Sequence, residues 1–469
     1  MIFRQFHLGC LSLYSYLIGD ETTGRAVVVD PQRDVGLYLD AAARENLHIE
    51  RIIETHVHAD FVSGHLELAA LTGAAISYGD RAVTGFTMDP LAHAQRLVLG
   101  DVALEVRHTP GHTPESISVV IWDSPDADEP WGVLTGDTLF VGDVGRPDLA
   151  ASAGSTADGL ARDLYRSLHS QLLTLPDATR VYPAHGAGSA CGKHLSEAGE
   201  STVGEQRATN YALAPMSEHE FVLAVMEGQA AAPGYFARTV DTNRSVHQLF
   251  VGDSPVPSMG LVEVLAAVAD GAVLLDTRDA TAFASGHYRG SVNVGLDGRF
   301  AEYAAAVAAP GVPIVLIGEP GTEIEAMTRL GRVGLDTVIG RLPDIGAVLG
   351  ERPDLASTAP RLDAPELADW LDHAPLLQLV DVRSPAERDA RAIDGARGLP
   401  LSDLARRLGE LNPALPTVVY CAGGYRSSIA ASFLRAHGFS LVADLLGGYD
   451  AWARSDHVAF RSPSRRQPA

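Results

Sequence analysis

Two stretches of the chain run in register: AVLLDTRDATAFASGHYRGSVNVGL (272–296) and LQLVDVRSPAERDARAIDGARGLPL (377–401). Asp276 and Arg278 align with Asp381 and Arg383. Gly290 aligns with Gly395, fourteen residues past each aspartate. The period of 105 residues is too long for a solenoid unit, so it marks a duplicated domain. Each copy opens on a helical pattern, GLVEVLAAVADG or DAPELADWLDH, and continues into a short apolar strand. That alternation predicts a mostly parallel sheet with helices on both faces.

The first 248 residues also alternate strands, turns and helices. YSYLIGDETTGRAVVVDP reads as a hairpin, and RIIET as a buried strand ending before His56. SGHLELAALTG reads as a helix with Ser63 as N-cap and Gly73 as its stop. MSEHEFVLAVMEG opens with a capping box of Ser217 and Glu220. FVGDSPVPSMG (250–260) reads as a linker. Two to four domains are expected for 469 residues. A formal net charge of −23 repels nucleic-acid phosphates, so nucleic acid is excluded as a partner. No apolar run has the length of a membrane span, and CLSLYSYLIG lacks a small-residue cleavage site, so no membrane partner is expected. Three scattered cysteines, Cys10, Cys191 and Cys421, form no disulfide framework and point to a reducing cytoplasm. Cys10 and Cys191 read as ordinary buried thiols.

THVHADFVSGH (55–65) places His56, His58 and Asp60 just after a strand. TPGHTPES adds His112, LTGDTLFVGDVGRPD adds Asp137, and VYPAHGAG adds His185, each in a strand-end loop. Such loops can turn several ligands towards one point on a rigid sheet. Single histidines are more often core or surface residues, and His65, His93, His108 and His194 are read that way.

The ordered string T-H-x-H-x-D, T-P-G-H-T, T-G-D-T, P-A-H-G resembles the metallo-β-lactamase superfamily over about the first 210 residues. The resemblance implies a four-layer αβ/βα sandwich with a metal at one edge. In two-metal members one ion uses the residues matching His56, His58 and His112. The other uses those matching Asp60 and His185 plus a histidine at position 61, and the match to Asp137 bridges the two. Phe61 cannot ligate, which implies a site for one ion. The persulfide dioxygenase branch is the more similar one. It implies one Fe(II) per chain on His56, His112 and Asp137, a two-histidine, one-carboxylate set suited to O2 chemistry. GDVGRPDL and STVGEQRATNYAL also resemble this branch. His58, Asp60 and His185 then stand around the ligands. Arg146 is a candidate for a substrate carboxylate or an iron-adjacent network, and Tyr182 for a supporting donor.

VVYCAGGYRSS (418–428) sets Cys421 between a buried strand and a helix N-terminus, where backbone N–H groups stabilise a thiolate. Gly423 and Gly424 let the loop curl around a small anion, and Arg426 adds positive charge. Four residues separate Cys421 from Arg426, one fewer than a phosphatase loop needs. C-x-G-G-x-R-S, with DVRSPAE and LLGGYDAW, resembles the rhodanese active loop. The resemblance implies a persulfide on Cys421 within the loop Ala422, Gly423, Gly424, Tyr425 and Ser427. The first copy has IVLIGEPGTE at that place and no cysteine, and is read as a rhodanese-like spacer or docking domain.

The resemblances imply an α/β protein: a metallo-β-lactamase-fold dioxygenase domain over 1–248, a Cys-less rhodanese-like domain over 257–355, an active rhodanese over 360–456, and a polar tail over 457–469. The expected substrates are O2 and a small thiol persulfide such as that of glutathione or coenzyme A, with sulfite and thiosulfate handled at Cys421. A cytoplasmic homo-oligomer, dimer or tetramer, is expected. The alternative is a zinc-dependent glyoxalase II-like thioesterase fused to a rhodanese, with His58 as a third histidine ligand.

Overall fold

The computed structural model describes residues 1–149, 155–229, 231–252 and 254–455. The predicted tail over 457–469 lies outside the described residues. The chain forms two compact units: Met1–Val251 with Gly331–Gly334, and Gly252–Leu330 with Leu335 onwards.

The first unit holds two six-stranded sheets. One runs in chain order through Ile2–Leu8, Leu13–Gly19, Arg25–Val29, His48–Ile53, Ala75–Gly79 and Asp89–Leu91. The other runs Ser201–Thr202, Arg180–Pro183, Gly132–Gly136, Ile117–Trp122, Ala103–His108 and Arg96–Val98. The inner faces meet through Tyr16, Ile18, Val27, Val29 and Ile53 on one side and Leu104, Val106, Val119, Ile121 and Leu134 on the other. Strand parity then sends Leu17, Val28 and Ile52 outward, where Tyr38 and Leu68 from helices Gly36–Arg44 and His65–Thr72 cover them. Helices Ala157–Ser167 and Glu218–Met226 cover the second sheet through Leu164, Phe221 and Val225. This is the four-layer αβ/βα sandwich expected. The hairpin and the Ser217–Glu220 capping box form as read. Ser63 does not cap its helix. Gly64 holds that position, and the Ser63 hydroxyl turns instead to Glu54 and the Pro31 carbonyl.

In the second unit the two copies share one strand order. The first runs Val292–Asn293, Val273–Asp276, Ile314–Ile317, Val338–Arg341; the second runs Arg397–Gly398, Gln378–Asp381, Thr417–Tyr420, Val442–Leu445, and adds Arg361–Leu362 at its edge. Every pairing in both sheets is parallel. The repeated residues do the same work in each. Arg278 grips Asp276 and Arg383 grips Asp381, at 2.6 and 2.7 Å. Gly290 and Gly395 both take φ near +80° to +90°, a region open to glycine. The end of the 250–260 stretch is not a free linker, because Ser258 bridges Arg341 and Met259 N–H donates to the Arg341 carbonyl.

Candidate metal centre and sulfur loop

His56, His112, Asp137 and His185 all follow the C-terminal ends of strands, and the sandwich brings them to one edge. Among the described residues, His56, His112 and Asp137 form a buried group whose ligand atoms lie within 4.8 Å of one another. His56 Nε2 and His112 Nε2 stand 3.8 and 3.4 Å from Asp137 Oδ2. The other ring nitrogens are occupied. His112 Nδ1 donates to the Arg146 carbonyl at 2.9 Å. The Thr55 hydroxyl gives its proton to Asp30 Oδ2 at 2.8 Å, so at 3.0 Å it accepts from His56 Nδ1. Both rings therefore turn an Nε2 lone pair inward, the tautomer in which a histidine binds a metal while its other N–H is held by a neighbour. Burial and the neighbouring histidines push His56 well down, which keeps it in the neutral, ligating form. His56 Nε2 and Asp137 Oδ2 are buried and have no hydrogen-bond partner among the described residues. Buried polar atoms without partners are costly unless something binds them, so this donor set fits a metal ion.

The surrounding residues sort differently from their order in the sequence. His185 Nδ1 meets Asp137 Oδ1 at 2.7 Å and its Nε2 meets Asp60 Oδ2 at 2.8 Å. Burial alone would lower its pKa, but the two carboxylates outweigh burial and push it up to about 10. His185 thus braces the side of Asp137 that faces away from the histidine pair. His58 turns Nε2 to Asp30 and Glu54, at 3.1 and 3.2 Å, and groups with them rather than with His56 and His112. Its Nδ1 is buried and has no hydrogen-bond partner among the described residues. Phe61 is fully buried with its ring 4.5 Å from that of His58. Gly145, in the GDVGRPD stretch, has to be glycine: a Cβ there would stand 1.8 Å from the Asp137 carbonyl oxygen.

One expectation fails. Tyr182 is no donor to the cluster. Its ring packs with Phe3, Tyr16 and Trp131, and its hydroxyl lies with Arg180 and Glu200. Cys191 is a buried thiol as expected, and it lies within 4.8 Å of the Asp60 and His185 ligand atoms. Burial and the nearby Asp137 and Asp60 push its pKa well up. Arg146 contributes through its backbone carbonyl. Its guanidinium is paired with Asp148 at 2.6 Å and also bonds the Ala190 carbonyl. The sequence reading passed over Asn243. This buried amide donates to the His58 and Phe61 carbonyls, at 2.9 and 2.8 Å, and accepts from Ser63 N–H. Asp30 was also missed, though VVVD ends a buried strand as the ligand loops do.

In the second unit Cys421 follows strand Thr417–Tyr420 and is buried. Its Sγ accepts from Gly424 N–H at 3.1 Å and lies 3.5 Å from Ser427 Oγ. Helix Tyr425–Ala436 starts at once, with Gly424 at φ +107° making the corner. Glu387 grips the Arg426 guanidinium through two bonds of 2.7 and 2.8 Å. Ala422 and Gly423 complete the loop, and the Ala422 carbonyl accepts from Asp450 N–H.

A four-layer sandwich with a buried histidine–aspartate cluster at one edge, joined to a parallel-sheet unit with a cysteine loop, defines a metal-centred protein with a separate thiol site. The chain belongs to the metallo-β-lactamase superfamily and carries a C-terminal rhodanese domain. The metallo-beta-lactamase superfamily model matches residues 8–185 and the rhodanese-like domain model residues 363–455. The mitochondrial persulfide dioxygenase ETHE1 of Bos taurus is 33% identical over 215 residues, which is 45% of this chain and 74% of the relative. The cytoplasmic hydroxyacylglutathione hydrolase of Arabidopsis thaliana is 36% identical over 184 residues, 38% of this chain and 66% of the relative, just short of two thirds. A solved metallo-beta-lactamase from Staphylococcus aureus subsp. aureus COL superposes with a TM-score of 0.65 at 33% identity, covering 73% of this chain and 99% of that one. No helix among the described residues is long and apolar enough to cross a membrane.

Proposed function

We propose that the first unit is an iron-dependent persulfide dioxygenase and that the rhodanese domain transfers sulfane sulfur. The observation that carries this reading is the buried ligand group of two histidines and one carboxylate, His56, His112 and Asp137, with Phe61 and not a further ligand packed on His58. That donor set suits Fe(II) and leaves room for other ligands. Iron held there supplies the redox chemistry that adds two oxygen atoms to the terminal sulfur of a small persulfide. The balance is R-S-SH with O2 and water giving R-SH, sulfite and two protons. The chain's own residues fix the geometry. Thr55 and the Arg146 carbonyl set the two imidazole tautomers, His185 holds one oxygen of Asp137, and Phe61 packs its ring on His58. The domain limits that go with this reading are 1–248, 257–355 and 360–456.

A second reading, a zinc thioesterase, is favoured by the hydroxyacylglutathione hydrolase relative and by the unpartnered His58 Nδ1. Metal analysis of anaerobically purified protein separates the two, with O2 uptake on glutathione or coenzyme A persulfide and hydrolysis of a glutathione thioester measured in parallel. The first reading expects one iron per chain and O2 uptake, both lost in His112→Ala. Zinc with thioester cleavage would replace it with the second.

A further inference from the structure

The Cys-less copy has no thiol, yet it is built against the loop of the copy that has one. Tyr425, four residues past Cys421, donates its hydroxyl to the Gly295 carbonyl at 2.6 Å and reaches the Asp297 carbonyl at 3.0 Å. The carbonyls between and beyond, Leu296 and Gly298, accept from Arg329. Four successive carbonyls of one short loop are thus bound alternately by the active copy and by the Cys-less copy's own arginine. Further along the same helix the Ser432 hydroxyl accepts from Asn293 N–H at 2.9 Å. A spacer needs no such register.

The loop 295–298 leads directly into helix Phe300–Val307, which carries Tyr303. Its ring stands edge-on to Tyr425, with centroids 5.5 Å apart and planes at 72°. The phenol also lies within electrostatic reach of Arg426 and Cys421, and burial pushes its pKa up, so it keeps its proton. No hydrogen bond of this hydroxyl occurs among the described residues, whereas that of Tyr425 is doubly engaged. Glu387 already draws on the positive charge of Arg426. A doubly or singly charged sulfur oxyanion at Cys421 therefore lacks a full counter-charge from its own domain, and a neutral donor on the facing wall would complement it.

We infer that Tyr303 of the Cys-less copy is an oxyanion-facing residue of the Cys421 site, which takes small sulfur oxyanions of the thiosulfate and sulfite class. The inference rests on the sulfurtransferase reading of Cys421. In that reaction the Cys421 thiolate attacks the outer sulfur of thiosulfate. A new S–S bond forms, the S–S bond of thiosulfate breaks, and its electron pair leaves with sulfite. Tyr425 positions Tyr303; it does not meet the oxyanion.

Two measurements on the full chain test this. Thiosulfate:cyanide sulfur transfer by Tyr303→Phe should show KM for thiosulfate raised about tenfold, as loss of a hydrogen bond to a charged group gives, with kcat changed much less. The second is alkylation of Cys421 by iodoacetate against iodoacetamide, in a Cys10→Ser, Cys191→Ser background. The anionic reagent should lose several-fold of its rate relative to the neutral one in Tyr303→Phe, and Tyr425→Phe should give a smaller loss. Unchanged KM and unchanged reagent preference in a folded Tyr303→Phe protein would overturn the inference. A parent protein that transfers no sulfur but whose reagent preference still depends on Tyr303 would refute the sulfurtransferase reading and leave the residue's place in the anion site standing.

Discussion

Thr55→Val removes one oxygen atom from the first unit and little volume. The Thr55 hydroxyl makes two buried contacts, 2.8 Å to Asp30 and 3.0 Å to His56 Nδ1. Asp30 keeps its second bond, from Thr55 N–H at 2.7 Å, so the carboxylate is not stranded. The His56 Nδ1–H is left with no acceptor, and an unsatisfied buried donor costs about 1–3 kcal/mol. Part of that cost is relieved if the ring rotates or changes tautomer, and either move takes Nε2 off the line to Asp137. Removing such a partner lowers metal affinity about 10–100-fold. At about 1.4 kcal/mol per tenfold this is the same 1–3 kcal/mol, seen in binding rather than in folding. The assay is chelator competition on the iron-loaded chain, with urea unfolding of the metal-free chain beside it. Affinity should fall by one to two orders of magnitude, and Thr55→Ser should restore most of it. Unchanged affinity in Thr55→Val would show that His56 is oriented by something other than this hydroxyl.

Three further outcomes are expected. Phe61→His should bind at most a weak second metal and give no efficient thioester hydrolysis, because the ring at 61 packs on His58 and Cys191 already occupies space beside Asp60 and His185; metal titration with a thioester assay checks it, and a tight second site with fast turnover would contradict it. Cys421→Ser should abolish thiosulfate sulfur transfer while O2 uptake on a ready-made persulfide persists, since all the candidate metal ligands lie in the first unit; loss of both in a folded protein would make the Cys421 persulfide the dioxygenase substrate. Glu387 is held by Arg426 and titrates at about 2 rather than 4.5, so its contribution to stability is whole above about pH 4.5 and is lost as pH falls through 2. Glu387→Gln should therefore flatten the acid limb of rhodanese-domain unfolding in that window, as followed by circular dichroism, and a limb as steep as in the parent would remove Glu387 from the account.

Local pattern carried the reading where the candidate residues sit on strand ends. His56, His112 and Asp137 were legible because each follows an apolar run and a turn, and such loops have few places to send a side chain. Cys421 was legible for the same reason, with its glycines and Arg426 close in sequence. Parity misled at Tyr182. A residue in a strand points to one of two faces, and only the opposing first sheet, with Tyr16 and Ile18, makes that face the core. Cys191 could not be placed, since nothing nearby in sequence ties it to Asp60. Asp30 and Asn243 act across long separations, through a carboxylate and an amide that look like ordinary polar residues until their partners are known. Ser63 failed as a cap because a buried glutamate competed for its hydroxyl.

The side chain of Asn243 fastens a loop made some 180 residues earlier, holding the His58 and Phe61 carbonyls and the Ser63 N–H at once. Tyr235 adds a bond to the Asp60 carbonyl. Every candidate ligand has been made by the time His185 emerges from the ribosome. The bonds that Asn243 and Tyr235 add to the loop carrying Asp60 and Phe61 come only with the helix Phe236–Arg244 and the residue before it. The stretch that the family model matches, 8–185, thus holds the candidate ligands without this last clasp on their loop.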